Sequence, residues 1–361
     1  MTAQDWVEVV AGAVTVLWTL LDIFRSAVVP RPAVGRLVMV AYAIRPAWRI
    51  WRWAGTRISR TARRETWLAT FGPFAIFLMF GVWALALIFG YGLIFHGLGV
   101  DLRPPSRSFG EALYFSATTL VPLSYGDITP ADVPSRITTV TESGSGVVLA
   151  ALVITLLFSL YQSFQARETL VVAFDAVAGA PPSGVQILET SAERTMRAQL
   201  GHTFDEWRSW AAAVLESHLA YPILVYFRSS HDNEAWLNSF GAVMDAATLV
   251  VSTVEDDAAA AAKLMLTVGT HLVEDLAWYF GLARSDEAYV ERSEFEAAYE
   301  RLSAAGYRCR DLSTAWHDFA ARRAKYGYML NQMAKKLAIV PAQWIGDRSY
   351  VPHERPRVAP R

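Results

Sequence analysis

The stretch YFSATTLVPLSYGDITP, Tyr114 to Pro130, decides how the chain is read. The apolar segment ALYFSATTL, Ala112 to Leu120, runs into a loop in which Gly126 sits between Tyr125 and Asp127. Just upstream, Ser108 and Glu111 have the spacing of a capping box, with Ser108 as N-cap and Glu111 reaching back. A helix over 108–120 is too short to cross a bilayer, which takes about 20 residues. Long apolar runs flank it on both sides. Non-helical backbone at membrane depth survives only where protein surrounds it or water fills a cavity, so the pattern predicts a re-entrant segment. An ordinary extracellular loop would explain neither the capped start nor the apolar ALYF face.

Composition agrees with a membrane setting. Of 361 residues, 53% are hydrophobic and only 19% charged, too apolar for an ordinary soluble enzyme and suited to membrane segments with a soluble part attached. The net charge of −1 gives no global pull toward nucleic acid, and the single cysteine, Cys309, excludes an intrachain disulfide and a cysteine-based metal cluster. Three stretches are apolar enough to span: about Trp6 to Val29, ending at Pro30; Trp67 to Phe95, without a charged residue; and about Ile137 to Phe164, containing GVVLAALVITLLFSLY. The first carries Glu8, Asp22 and Arg25. A cleaved signal peptide competes with a retained helix there, but Asp5 and Glu8 stand where such leaders carry positive charge. Asp22 and Arg25, three apart, are expected to pair with each other; a voltage sensor would need a row of arginines.

Orientation follows from the basic residues. The segment 31–64 holds Arg31, Arg36, Arg45, Arg49, Arg52, Arg57, Arg60, Arg63 and Arg64 and no acid, which places it in the cytoplasm. The N-terminus, the turn RPPSRS (Arg103–Ser108) and the SYGD loop then face outward, and everything after Gln165 is cytoplasmic. Tyr42, Trp48, Trp51 and Trp53 alternate with the arginines, as in a helix lying in the interface against anionic lipid headgroups. A nucleic-acid arm would not need the tryptophans.

Taken together, the spans, the short helix and the loop resemble the pore domain of the potassium-channel superfamily, the P-loop cation channels. Aligned on Tyr125, Gly126 and Asp127, the family pattern TxTTVGYGD meets TTLVPLSYGD without a gap. The resemblance covers roughly Trp67 to Phe164. It implies a selectivity filter at Val121, Pro122, Leu123, Ser124, Tyr125, Gly126 and Asp127, with Thr118 and Thr119 supporting it from the end of the pore helix. It implies a hinge at Gly146 and a basic residue, Arg136, at the start of the inner helix. It also implies a homotetramer, because one loop supplies one quarter of a filter, with monovalent cations (K+ or Na+) in the pore; no cofactor is expected.

The sequence departs from the pattern at the inner part of the filter. Such filters work by rings of backbone carbonyls, and alternate residues adopt left-handed conformations. Ser124 stands where the family has its first glycine, at a cost of roughly 1–2 kcal/mol per subunit. Pro122 replaces the threonine of the innermost site and has no N–H. The carbonyls of Ser124 and Tyr125 are still expected to bind cations, through a filter that is weakly selective or closed at rest. Glu142, several residues inside the third span, is expensive unless it faces protein or water. It is expected either to accept hydrogen bonds from Thr118, Thr119 or filter N–H groups, or to snorkel outward. Beyond Gly144-Ser145-Gly146, helical spacing puts Val147, Ala150, Ile154 and Phe158 on one stripe. By the family analogy this stripe lines the cavity, with Phe158 as a dewetting gate; a lipid or helix-packing face is the alternative.

After Ala166 no further span occurs and the sequence reads as helical. Apolar stripes recur at Phe204, Trp207, Trp210, Ala211, Val214 and Leu215, and at Trp236, Leu237, Phe240, Val243 and Met244. Pro181–Gly184 breaks the first segment, and the tail after Trp344 reads as disordered. Ser229–Glu234 and Glu255–Asp257 read as helix starts. His271, Glu274 and Asp275, with His218 or His231, form a weak candidate metal set that is not adopted. No Rossmann, P-loop, zinc-protease or nucleophile-elbow motif is present, so no catalytic residue is assigned.

The expectation is an all-α integral membrane protein of the cell membrane, with an extra N-terminal transmembrane helix (1–30) and a basic interfacial segment (31–65). A two-helix pore domain with re-entrant pore helix and filter loop (66–165) follows: outer helix 67–95, pore helix 108–120, filter 121–127 and inner helix 137–164. A C-terminal cytoplasmic helical domain (166–345), gating the pore in response to a ligand or protein, and a tail (346–361) complete it. The competing functions are a non-conducting receptor or scaffold on the same fold, and a membrane-tethered enzyme.

Overall fold

The computed structural model describes residues 2–27, 39–98, 102–104, 108–123, 125–179, 181–229, 235–285 and 287–345. Arg31, Arg36, Pro105–Arg107, Ser124, Ser230–Glu234 with His231, and the tail from Gly346 lie outside them. The chain divides into two compact units: Met1–Ile58, Thr66–Gln162 and Leu219–Phe227 make unit 1, and Ser59–Glu65, Ser163–His218 and Arg228–Arg361 make unit 2. Among the described residues, three helices are long and apolar enough to cross a membrane, within Ala3–Ser26, Thr61–Gly97 and Val133–Ala178. The protein is an all-α membrane protein.

In unit 1, α1 (Ala3–Ala27) packs antiparallel along α4 (Phe71–Gly97). Near one end Glu8 bonds His96; near the other, Trp83 Nε1 donates to Asp22 at 2.8 Å. Asp22 is thus engaged by Trp83, a residue 61 positions away, rather than defined by its sequence neighbour Arg25. The helices approach closely because Gly12 faces Gly90, where a Cβ would stand 2.8 Å from Val16. Small residues at such a crossing let backbones meet and gain dispersion contacts. The acids that weaken α1 as a membrane helix are the groups that pin it to its neighbour.

The second apolar run is interrupted where a single helix over 67–95 is expected. Helix α3 (Thr61–Ala69) ends and α4 begins at Phe71, because Pro73 has no N–H for the Ala69 carbonyl and its ring crowds that oxygen. Helix α2 (Met39–Gly55) lies against the start of α4. Trp48 is buried, 4.9 Å from Phe71 and 5.4 Å from Tyr226. Trp51 stacks on Trp67 at 4.5 Å, and each indole donates to the other's carbonyl, at 3.0 and 3.2 Å. Two of the three expected interfacial tryptophans therefore pack on protein, while Trp53 and Tyr42 stay exposed. A 3₁₀ turn, Pro222–Tyr226, also belongs to this unit, and Phe227 meets Tyr161 edge-on at 6.5 Å.

The pore segment follows: β1 (Leu102–Arg103), α5 (Phe109–Leu120), β2 (Thr129–Pro130) and α6 (Val133–Ala178). Helix α6 has 46 residues, about 69 Å at 1.5 Å per residue, more than twice a hydrocarbon core of roughly 30 Å. It overruns the expected 137–164 at both ends: Asp132 caps its start, the carboxylate accepting from the Ser135 N–H at 3.1 Å, and the stretch QARETL (Gln165–Leu170) beyond the apolar run is rich in helix formers.

Unit 2 is built around α9 (Trp236–Ser252), every residue of which is buried. Around it stand the end of α6, α7 (Gly184–Glu193), α8 (Leu200–Ala220), α10 (Ala259–Phe280), α11 (Arg292–Ala304), α12 (Leu312–Arg323) and α13 (Gly327–Leu337). Both expected stripes, Phe204 to Leu215 and Trp236 to Met244, face the core. Asp245 of α9 accepts from Arg323 Nε at 2.9 Å and from Tyr326 at 2.7 Å, and Arg323 also reaches the carbonyls of Ala288 and Trp344. A second buried cluster joins Arg167, Glu168 and His218: Arg167 Nε donates to Glu168 at 2.9 Å, and Arg167 Nη1 lies 3.3 Å from His218 Nε2. With Nδ1 donating to the Val214 carbonyl at 2.9 Å, Nε2 is the acceptor of a neutral ring. Burial, reinforced by Arg167, pushes the His218 pKa down to about 3.

Candidate functional site

Helix α5 starts at Ser108, an N-cap in extended conformation whose carbonyl accepts from Glu111 and Ala112; its side chain makes no capping bond. The helix then runs back along α4. Phe109 lies edge-on to His96 at 5.6 Å, Leu113 fills the space beside Gly92, and Ser116 Oγ lies 3.0 Å from the Ile88 carbonyl. The order 109–113–116 against 96–92–88 is that of a helix turning back on its predecessor. With 12 residues it descends about 18 Å, a little over half of the hydrocarbon core. At its inner end the Leu120 carbonyl abuts Gly146 of α6 so closely that a Cβ there has no room. Loop 121–127 then returns to β2, which pairs with β1: Leu102 faces Pro130 and Arg103 faces Thr129. The segment enters and leaves on one side, which makes it re-entrant.

The loop itself begins with an unusual helix end. Val121 N–H bonds the Ala117 carbonyl at 3.2 Å, Pro122 has no N–H to offer, and Leu123 N–H closes the turn on Thr118 at 3.1 Å. Val121, Leu123 and Tyr125 are 53%, 47% and 67% exposed in the single chain, so among its described residues this loop contributes no side chain to the subunit's own core. Gly126 has φ +75°, the left-handed conformation for which glycine is suited. Asp127 accepts from Tyr114 at 2.8 Å, tying the far end of the loop to the pore helix. Ser124 is outside the described residues.

Behind the pore helix the polar groups are differently paired than expected. Glu142 is fully buried and takes its hydrogen bond from Ser116; it neither snorkels nor engages Thr118, whose hydroxyl bonds the Phe115 carbonyl at 3.0 Å. Thr119 is buried one turn from Ser116. Tyr91 OH and Ser145 Oγ lie 3.0 Å apart alongside. Sequence reasoning passed over Ser116, Tyr91, Ser145 and Tyr114; the one signal was a small hydroxyl, Ser116, inside an otherwise apolar helix. Arg136 Nε lies 3.4 Å from the Pro130 carbonyl at the start of α6. Helix α6 runs unbroken through Gly146, where the missing side chain serves the Leu120 approach. Val147, Ile154 and Phe158 are 58%, 56% and 71% exposed, and Ala150 is exposed beside them.

In unit 2 the candidate metal residues are not brought together. His218 is buried against Arg167, His271 lies 3.5 Å from Asp275, and Glu274 pairs with Arg284 at 3.0 Å. Among the described residues, no group of three or more His, Cys, Asp or Glu is placed to hold a metal.

Residues 74–163 match a family model described as ion channel. No curated protein and no solved structure matches the chain significantly. The matched segment opens in the first turn of α4, contains the re-entrant helix and its loop, and closes at the end of the apolar run of α6. Over residues 74–163 the chain is therefore similar to ion channels, across a segment made of two apolar helices and the re-entrant helix between them.

Proposed function

We propose that the chain is one subunit of a homotetrameric channel in the cell membrane that passes monovalent cations, K+ or Na+, through the loop 121–127. The observation that carries this is the re-entrant helix α5, pinned at Ser116 and Leu120 and ending in a loop in which Val121, Leu123 and Tyr125 are left exposed by the subunit. The C-terminal end of α5, where a helix dipole is negative, abuts that loop and suits a cation. Four copies would bring four loops round one axis and line the space beneath with Val147, Ala150, Ile154 and Phe158.

The filter discriminates weakly between K+ and Na+ or is closed at rest, because Pro122, without an N–H, replaces the threonine of its innermost site while Gly126 keeps the left-handed turn of its outer half. The basic segment sets the N-terminus and pore loop outside and unit 2 in the cytoplasm. Unit 2 acts as the gating module for a ligand or protein, a role supported by α6, which continues from the pore module into it without a break. The activity is transport, not catalysis.

Cation flux into liposomes holding the purified full-length protein tests this. Flux of both ions that is abolished by Gly126→Ala supports the proposal. Strict K+ over Na+ selectivity overturns the account of the filter. No flux under any condition, with the tetramer intact, points to a non-conducting receptor on the same fold.

A further inference from the structure

Helix α2 presents three distinct sectors. At about 100° per residue, Ile44, Trp48, Trp51 and Gly55 share the face turned into unit 1, and Ile44 and Trp48 are buried there. Arg45, Arg49 and Arg52 follow on the next arc, Arg45 and Arg49 exposed. Tyr42 and Trp53 come after them, 65% and 59% exposed, with Ile50 beyond at 68%. The Arg57 guanidinium lies 3.4 Å over the Trp53 ring. The whole segment 31–64 contains no acid.

Two observations say what covers this outward face. Its inner sector packs on Phe71, Trp67 and Phe74, at and before the first turn of α4, which places α2 at the mouth of a membrane-spanning helix. Its outer sectors set guanidinium groups beside Tyr, Trp and Ile. A water-facing helix does not expose such an apolar strip, and a purely phosphate-tracking arm needs no isoleucine. Cationic and amphipathic side chains side by side match the headgroup layer of an anionic leaflet, where arginines meet phosphates and tryptophan rings sit at the acyl boundary.

We infer that the outward face of α2 is a docking surface for anionic phospholipid headgroups, with Arg45 and Arg49 taking the phosphates and Trp53 and Ile50 seated at the acyl boundary. The inference goes beyond conduction, and its test does not require an open pore. Full-length protein is reconstituted in vesicles carrying brominated acyl chains either on phosphatidylglycerol or, at the same mole fraction, on phosphatidylcholine. The Trp53 contribution is the difference between wild type and Trp53→Phe. Quenching of that contribution is expected to be several-fold stronger from the brominated anionic lipid. The preference is expected to vanish in Arg45→Gln/Arg49→Gln, return in Arg45→Lys/Arg49→Lys, and shrink with added salt. Equal quenching by both lipids would mean plain immersion without headgroup recognition and would overturn the inference. Absence of quenching by either would overturn it too, by showing the face covered by protein or nucleic acid.

Discussion

Ser116 of the pore helix donates its hydroxyl to Glu142 of the inner helix, and both side chains are fully buried. The bond joins two elements 26 residues apart and sits one turn from the residue that starts the loop. A buried carboxylate stripped of its donor costs more than the bond itself was worth. Ser116→Ala is expected to lower stability by about 1–3 kcal/mol. Glu142→Gln, which keeps an acceptor oxygen without the charge, is expected to cost less. Thermal unfolding of the detergent-solubilised protein ranks the two; the reverse order would contradict a pinning role for this pair.

Gly146→Ala is expected to displace the end of the pore helix, because its Cβ runs into the Leu120 carbonyl, a backbone atom with no room to yield. Overpacking of this kind costs about 1–3 kcal/mol and here also moves the start of the loop. Gly144→Ala, two residues away, meets nothing within 4 Å in the subunit and is expected to leave unfolding unchanged or improved, as alanine favours helix. Comparing liposome flux and unfolding of the two variants separates close packing from hinge flexibility. A true hinge would be impaired by both.

Phe158 is 71% exposed on α6, so Phe158→Ala is expected to change subunit stability by less than about 0.5 kcal/mol. If its ring closes the space beneath the filter, the variant raises resting cation flux. Unchanged flux would remove Phe158 from the gate.

His218 gives unit 2 a pH dependence of defined sign. Its folded pKa, about 3, lies below its ordinary value of 6.5, so between those values the unfolded chain binds the extra proton. Stability is fully present above about pH 6.5 and declines as pH falls toward 3, by at most a few kcal/mol. His218→Gln is expected to flatten the fall in unfolding midpoint from about pH 7 to about pH 4, even if the variant starts less stable. An unchanged slope would place the acid sensitivity elsewhere.

Much of this protein was legible in its sequence, for reasons that are local. The apolar runs and the short segment between them are set by composition and spacing, and a helix of 12 residues cannot span a bilayer whatever surrounds it. The buried stripe Phe204 to Leu215 follows from helical periodicity alone. Gly126 was marked for a left-handed turn by its residue type, and its φ of +75° agrees. Pro73 was equally visible, but its effect, ending α3 at Ala69, depends on a carbonyl four residues earlier and was easily lost in an unbroken apolar run.

Partnership was decided only by the tertiary structure. Asp22 and Arg25 look like a pair at helical spacing, yet Trp83 lies within hydrogen-bond reach of Asp22 because α1 and α4 pack side by side. Glu142 had Thr118 and Thr119 as its expected partners, but the direction of α5 turns Ser116 toward it. Trp48 and Trp51 read as lipid-facing beside Trp53 until the packing of α2 on α4 put them inward and left Trp53 out. Hydrogen bonds and ring contacts act over a few ångströms, and positions 61 or 26 residues apart come within that range only once helices have chosen their neighbours. The sequence by itself determined which segments enter the membrane; the folded chain decided which of their polar groups hold each other there.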